Sequence, residues 1–497
     1  MRTMSRKIYL EMNPPTEEDP RPDTQRIRDA LGEPVRFSLS VLRQLAVVLP
    51  DAAWKITATL GYDGAGWEVI RLEKGNTTAE HYAVAVDLGS TTVCMRLVNM
   101  QSGSVVASES RFNRQIAYGE DILNRVFYCR NHPEHLEEVR QATLESFREV
   151  MDALTDRTGI PAEAFSAMVV SGNTTMIHLF LGLDPFAVFA SPYAPHACDF
   201  DFYSGSSLGL DIPGYVYCVP CRANYLGGDI LSGLIATGLA EREEISVFLD
   251  IGTNGELVVG NRHFLLAGAG AAGPALEGGS VSTGMRAKTG AVSKVTMEDG
   301  KLRLHVIGDT KPEGLCGSGI VDLLSVLFLG GILDRMGKFR DGAWDYVEQD
   351  GQRGVCYGEG LVLWQSDVDA FLRTKAAANT MVDYILEYAG IPMDQVDRFY
   401  VSGAFGTHLD KESAVSIGLY PDLPRDRIVN AGNSSLEGAQ KLLMNMDRIS
   451  DIQRYLSAME YIQFGAVTDF VSRMTAALAI PHTDLERYPS VKGKITS

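Results

Sequence analysis

From residue 82 onward, apolar runs of strand length alternate with amphipathic helical stretches, the pattern of layered α/β architecture. Ahead of that point the pattern differs. Ser38 to Leu49 carries apolar residues at helical spacing, and Trp54 to Leu60 and Trp67 to Leu72 read as strands closed by Gly-Tyr-Asp-Gly, so residues 36–80 form a small α+β unit. Residues 1–35 hold Pro14-Pro15, Pro20, Pro22 and the acidic run Glu17-Glu18-Asp19 and begin as a linker rather than a core element. Two strand runs end alike: Ala83-Val-Ala-Val-Asp87-Leu-Gly89-Ser90-Thr91-Thr92, continuing into Val93 to Val98, and Ser246-Val-Phe-Leu-Asp250-Ile-Gly252-Thr253-Asn254-Gly255, continuing into Glu256 to Val259. Their separation, about a third of the chain, points to two related lobes. A third strand, Phe399-Tyr-Val-Ser402, runs into the glycine-rich turn Gly403-Ala404-Phe405-Gly406. Ile320 to Leu333 has helical length and reads as core or as a dimer face.

Composition narrows the function classes. The chain has 497 residues, 45% hydrophobic and 22% charged, an ordinary globular balance. Its net charge of −18 repels phosphate backbones and anionic lipid, so neither nucleic acid nor a membrane surface is an expected partner. No run reaches the ~18 apolar residues of a spanning helix, and Met1 to Pro14 has no signal-peptide core. A cytoplasmic protein is expected. Seven scattered cysteines do not make a disulfide framework. Only Cys218 and Cys221 have C-x-x-C spacing, without the second pair of a zinc ribbon or the four thiolates of a ferredoxin-type cluster. His132 and His135, separated by Pro133-Glu134, read as a surface loop rather than a metal site.

The two Asp-x-Gly hairpins suit phosphate. Glycine lets backbone N–H groups approach phosphate oxygens, and Ser/Thr hydroxyls add donors. An aspartate at a strand end can serve a hydrated Mg²⁺. No G-x-x-x-x-G-K-[ST] is present, so the chain has no P-loop motif.

In chain order, Asp87 to Val93, Gly227-Gly-Asp229 to Ala236, Asp250 to Glu256, Val401 to Gly406 and Leu436-Glu-Gly-Ala439 resemble the five marks of the actin, sugar-kinase and heat-shock-chaperone ATPase superfamily. They resemble, respectively, its first phosphate segment, first connecting helix, second phosphate segment, adenosine segment and second connecting helix. Val170-Ser-Gly172-Asn173-Thr174-Thr175-Met176-Ile-His178, Gly273-Pro-Ala-Leu-Glu277-Gly278, Gly314-Leu-Cys-Gly317-Ser318-Gly319 and Lys375-Ala-Ala resemble, more narrowly, the reductive activators of corrinoid proteins.

The resemblance implies a two-lobed, actin-like (ribonuclease H-like) α/β ATPase fold behind a small N-terminal α+β domain. Expected spans are a linker at 1–35, a small middle domain at 36–80, lobe I at 81–240, lobe II at 241–470 and a tail at 471–497. It implies binding of ATP and Mg²⁺, with Gly89, Ser90, Thr91 and Thr92 on one side of the β/γ-phosphates and Gly252, Thr253 and Asn254 on the other. Asp87 and Asp250 would serve Mg²⁺, and Gly403, Ala404 and Gly406 would pass close to the adenosine. Asp229 stands where sugar kinases of the superfamily carry a catalytic aspartate, and a helix N-cap is its competing role. Arg373 and Lys375 would flank the adenine or lie on a solvated helix face. The implied task is ATP-dependent support of one-electron reduction of a Co(II) corrinoid protein of a methyltransferase system to Co(I), by a homodimer. That family carries a 2Fe–2S domain at its N-terminus. Here the first cysteine is Cys94, so no iron–sulfur cluster is expected on this polypeptide: it is a fragment, or a separate ferredoxin-type donor supplies electrons, or the task differs. The alternatives are a small-molecule kinase of the same fold and a non-enzymatic, nucleotide-gated interaction module.

Overall fold

A computed structural model describes residues 2–119, 121–191, 193–222, 226–252, 254–271, 280–403 and 409–495, with the backbone alone at Asn254 and Ala271. The chain divides into two compact units, Met1–Ala236 with Ser435–Ser457, and Thr237–Ser434 with Ala458–Ser497.

The first unit opens with a four-stranded sheet ordered Ser5–Glu11, Lys55–Tyr62, Trp67–Lys74, Val35–Phe37. Its helix Leu39–Asp51 starts at Ser38, whose hydroxyl accepts from the Val41 N–H, and buries Val41, Leu45 and Leu49 at helical spacing. The linker character of the prolines holds only between Ser5–Glu11 and the helix Asp23–Leu31. Ser5–Glu11 is an edge strand in register with Lys55–Tyr62, and Leu10 and Ile27 enter the core. Its apolar positions are too few to reveal it as a strand. The sheet is tied to the rest of the unit by a buried polar chain: Ser5 Oγ meets His81 Nε2 at 2.8 Å and Ser166 Oγ at 2.7 Å.

The unit's second sheet runs Val105–Phe112, Thr92–Asn99, Tyr82–Leu88, Phe165–Gly172, Tyr215–Cys218, Phe202–Ser204. Tyr82–Leu88 is central, antiparallel to Thr92–Asn99 and parallel to Phe165–Gly172. Ala83, Val84, Ala85 and Val86 are all fully buried, as expected of a run covered on both faces. The helix Pro133–Thr158 buries Val139, Phe147, Val150 and Leu154. Phe147 stacks on Phe180 at 5.0 Å, and truncating so buried an aromatic costs about 3–5 kcal/mol.

The second unit repeats the plan. Its sheet runs Ile428–Gly432, Arg398–Ser402, Ser246–Ile251, Asn254–Gly260, Leu265–Ala271, Met459–Gln463. Three consecutive strands again form an antiparallel meander, and later strands add in parallel beside the first. Two three-stranded sheets, one of Ala291–Glu298, Lys301–Val306 and Gly314–Leu315 and one of Val347–Gln349, Gln352–Gly358 and Leu361–Trp364, complete it. The helix Gly317–Leu329 lies in this core. A Cβ on Gly319 would stand 2.1 Å from the Val292 carbonyl oxygen, so the helix start needs glycine for close packing. Among the described residues no helix is long and apolar enough to cross a membrane.

Candidate functional site

Asp87 and Asp250 occupy the same place in the two sheets. Each is the penultimate residue of its central strand. In register, Asp87 faces Cys94 and Ser171, and Asp250 faces Glu256 and Ser402. Both serines belong to a Val-Ser-Gly triplet, Val170-Ser171-Gly172 and Val401-Ser402-Gly403. A Cβ on Gly172 would stand 2.7 Å from the Leu88 carbonyl oxygen, and one on Gly403 2.5 Å from that of Ile251. In each unit, therefore, a glycine is required where the neighbouring chain passes the residue after the aspartate.

The first hairpin turn is fixed from one side. The Gly89 carbonyl accepts from Asn113 Nδ2 at 3.0 Å, the Ser90 carbonyl from Arg125 at 2.6 Å, and the Thr91 carbonyl from the Asn113 N–H at 2.9 Å. In a trans peptide the N–H points opposite to the preceding carbonyl. The Ser90 and Thr91 N–H groups thus point away from Asn113 and Arg125. Arg125 is fully buried, also donates to the Gly119 carbonyl at 2.9 Å, and burial lowers its guanidinium to about 10. Burial, then the neighbouring Asp87 charge, pushes the Cys94 thiol up to about 12.

A relay of hydroxyls holds Asp87. Ser435 Oγ donates to Asp87 Oδ1 at 2.8 Å and also meets Ser171 Oγ at 2.9 Å, and Ser171 Oγ meets Ser232 Oγ at 2.9 Å; the carboxylate only accepts, so the single Ser435 proton goes to Asp87. Ser232 and Ser435 lie on the helices Gly228–Thr237 and Ser434–Met444. These helices pack so closely that a Cβ on Gly438 would stand 2.0 Å from the Ser232 carbonyl oxygen. In the second unit, Ser402 Oγ meets Ser434 Oγ at 2.6 Å and donates to the Gly432 carbonyl at 3.0 Å. Gly403 has φ +93, and its Cβ would also stand 2.7 Å from Asp250 Oδ1, so the Asp250 carboxylate rests against a residue that must be glycine.

Asp229 lies inside the first turn of its helix rather than at the N-cap, and Oδ1 accepts from the Ile230 N–H at 2.9 Å. The expectations at Thr253, Ala404 and Gly406, and the Gly273 to Gly278 signature, fall outside the described residues. Asn254 begins the second strand of its hairpin, and its backbone pairs with Ala271. Thr92 likewise begins its strand, and Gly252 follows Ile251 in the second turn.

Two other readings change. Lys375 is not on a solvated face: it is fully buried, and its ammonium donates to the carbonyls of Ala477, Ala479 and Pro481 at 2.5, 2.6 and 2.6 Å. Burial lowers it to about 7, while three carbonyl acceptors favour the charged form. Arg373, two residues away, is exposed. Pro133 does not interrupt a helix but opens one, with His132 as N-cap. His132, Glu134 and His135 bring potential ligand atoms within 4.8 Å of one another, at the positive end of a helix dipole that opposes a cation.

Motif reading gives Asn113, Arg125 and Ser435 no place, and it includes Ser171 and Ser232 in its segments without assigning either a role. The repeated Val-Ser-Gly was the available signal for Ser171. Nothing local marks Arg125, because its partners come from distant segments.

Comparisons with known proteins follow the same division. The description "RACo linker region" matches residues 1–79, "RACo middle region" 82–242, and "C-terminal domain of RACo the ASKHA domain" 244–492. The chain is 34% identical to the corrinoid activation enzyme RamQ of Eubacterium limosum, over 74% of this chain and 65% of that protein. It is 26% identical to the Co(II) methylated amine-specific corrinoid protein reductase of Methanosarcina barkeri, over 47% of this chain and 45% of that one. It thus spans less than two thirds of the length of either relative. A solved structure titled "Reductive activator for corrinoid,iron-sulfur protein" superposes with a TM-score of 0.91 at 33% identity, covering 99% of this chain and 81% of that chain. The chain belongs to the RACo family of reductive activators of corrinoid proteins and carries its ASKHA domain.

Proposed function

We propose that this chain binds and slowly hydrolyses Mg·ATP, and uses the nucleotide to support one-electron reduction of a Co(II) corrinoid protein to Co(I), with electrons from a ferredoxin-type donor. The observation that carries the reading is the duplicated frame of Asp, Val-Ser-Gly and a glycine-tight turn, within a family whose named relatives act on corrinoid proteins. The residues fit the nucleotide and its metal: a turn whose N–H groups face away from their anchors, a carboxylate at each strand end, and a glycine against the Asp250 carboxylate. Gly89 to Thr92 and Gly252 to Asn254 take the phosphates, and Gly403, Ala404 and Gly406 the adenosine. Asp87 and Asp250 hold Mg²⁺, which supplies neutralisation of phosphate charge. Asp229 orients the attacking water.

Coupling to reduction is a matter of linkage. The nucleotide must favour the complex in which the corrinoid is easier to reduce. For a one-electron couple, roughly 3 kcal/mol of differential binding is worth ~130 mV. The same reading places a homodimer in the cytoplasm, with a small N-terminal α+β unit ahead of two lobes. The test mixes the chain, a Co(II) corrinoid protein, a reduced ferredoxin and ATP, and follows Co(I) by its visible absorption. ATP-dependent Co(I) formation, lost in Asp229→Asn while nucleotide still binds, is expected. No dependence on ATP or on the chain contradicts the proposal.

A further inference from the structure

The strand Tyr215–Cys218 lies beside Phe202–Ser204, with Tyr217 opposite Phe202. The two segments stay together beyond the ladder. The Cys218 N–H reaches the Asp201 carbonyl at 3.4 Å, and past Pro220 the Cys221 N–H reaches the Cys198 carbonyl at 3.0 Å. Cys198 and Cys221 lie just outside the two strands, but a direct backbone N–H···O=C bond between two residues still sets their Cα atoms roughly 5–6 Å apart, inside the window of about 4.4–6.8 Å that a disulfide spans. The Cys221 side chain lies on the same side, since Cys221 Sγ comes within 3.9 Å of the carbonyl oxygen of Ala197, the residue before Cys198. Both cysteines are free thiols, Cys198 half-buried and Cys221 buried.

From this geometry we propose that Cys198 and Cys221 form an oxidation-sensitive dithiol, a covalent modification site that a hydroperoxide converts to an intrachain disulfide.

The division of labour follows from the surroundings. A hydrogen bond from Cys221 holds the Cys198 thiol below its usual range, and Arg222 adds to that effect against burial and Asp199. The same hydrogen bond, with burial, raises Cys221. The accessible sulfur is therefore the better thiolate, and the enclosed one keeps its proton until needed. The Cys198 thiolate attacks one peroxide oxygen, the O–O bond breaks, and hydroxide leaves, taking up the thiol proton as water. The Cys221 sulfur then displaces the hydroxyl of the Cys198 sulfenic acid. The S–S bond forms and a second water leaves with the Cys221 proton. Two thiols and one hydrogen peroxide thus give one disulfide and two waters, and a dithiol reductant reverses the step. Cys218, fully buried with its thiol raised by burial, takes no part.

The test treats the full chain with hydrogen peroxide and maps unreduced peptides by mass. A Cys198–Cys221 linked peptide two hydrogens lighter than its parts, restored by dithiothreitol, is expected. In Cys221→Ser the reaction should stop at a sulfenic acid on Cys198, trapped by dimedone. Cys198→Ser should abolish both products, and a melting curve for each variant checks folding. In untreated wild type, Cys198 should be alkylated by iodoacetamide several-fold faster than the exposed Cys356. Linkage through Cys218 instead, or no linkage with Cys198 alkylated no faster than Cys356, overturns the proposal. None of these readouts depends on nucleotide or corrinoid.

Discussion

The two halves of this molecule solve one problem twice and finish it differently. Each sets an aspartate at a central strand end, opposite a serine of a Val-Ser-Gly triplet whose glycine nearly touches the next carbonyl. In the first half the turn is held from outside, by the Asn113 amide and the buried Arg125, and Ser435 grips the aspartate. In the second half Gly403 takes φ +93, and the Asp250 carboxylate lies where its Cβ would stand. Even the adjacent serines of one helix divide the work, Ser435 bonding Ser171 and Ser434 bonding Ser402. The frame is duplicated, while the contacts around its two aspartates differ among the described residues.

That contrast can be broken most forcefully at its glycines. Gly403→Ala should abolish nucleotide binding and destabilise the fold more than Gly172→Ala. Both introduce a Cβ clash, but only Gly403 adds the cost of a left-handed conformation, about 1–2 kcal/mol. Urea unfolding and calorimetry check this, and equal losses would erase the asymmetry. Next in size, Arg125→Met leaves the carbonyls of Ser90 and Gly119 unpaired, at about 1–3 kcal/mol for each buried group. Hydrogen exchange should quicken around Gly89 to Thr92 while Ser246–Ile251 keeps its protection.

How far these features are legible in the sequence depends on where their partners lie. The Asp-x-Gly turns, the strand runs before them and the helix opened by Gly317-Ser318-Gly319 are local, and local pattern reveals them. Ser435 and Ser171 are 264 positions apart, and Lys375 meets carbonyls more than 100 positions away. A charged residue read alone looks solvated, and only tertiary structure supplies the acceptors that let it be buried. Ser5–Glu11 was hidden for a related reason, since an edge strand with few apolar residues takes its identity from the strand it joins.

A third prediction separates the units by pH. Burial, then the Lys7 ammonium, lowers His81 from 6.5 to about 4, so the unfolded chain takes up this proton first. Stability from this group is present above pH 6.5 and is lost as pH falls towards 4, by about 3 kcal/mol in total. Exchange protection of Tyr82–Leu88 should decline over that range in wild type but not in His81→Gln, with Ser246–Ile251 as the internal reference. The smallest expected difference is between neighbouring serines. Ser435→Ala removes a hydrogen bond to a carboxylate, about 1.5–3 kcal/mol, whereas Ser434→Ala removes a neutral one, about 1 kcal/mol. Urea midpoints should rank them in that order.

The most direct test of the account is calorimetry of Mg·ATP with wild type, Asp87→Ala and Asp250→Ala, alongside their melting temperatures. Wild type should bind, and each variant should lose Mg²⁺-dependent affinity and hydrolysis far more than thermal stability. Absence of binding by wild type at millimolar nucleotide would contradict the assignment of the duplicated frame to a nucleotide.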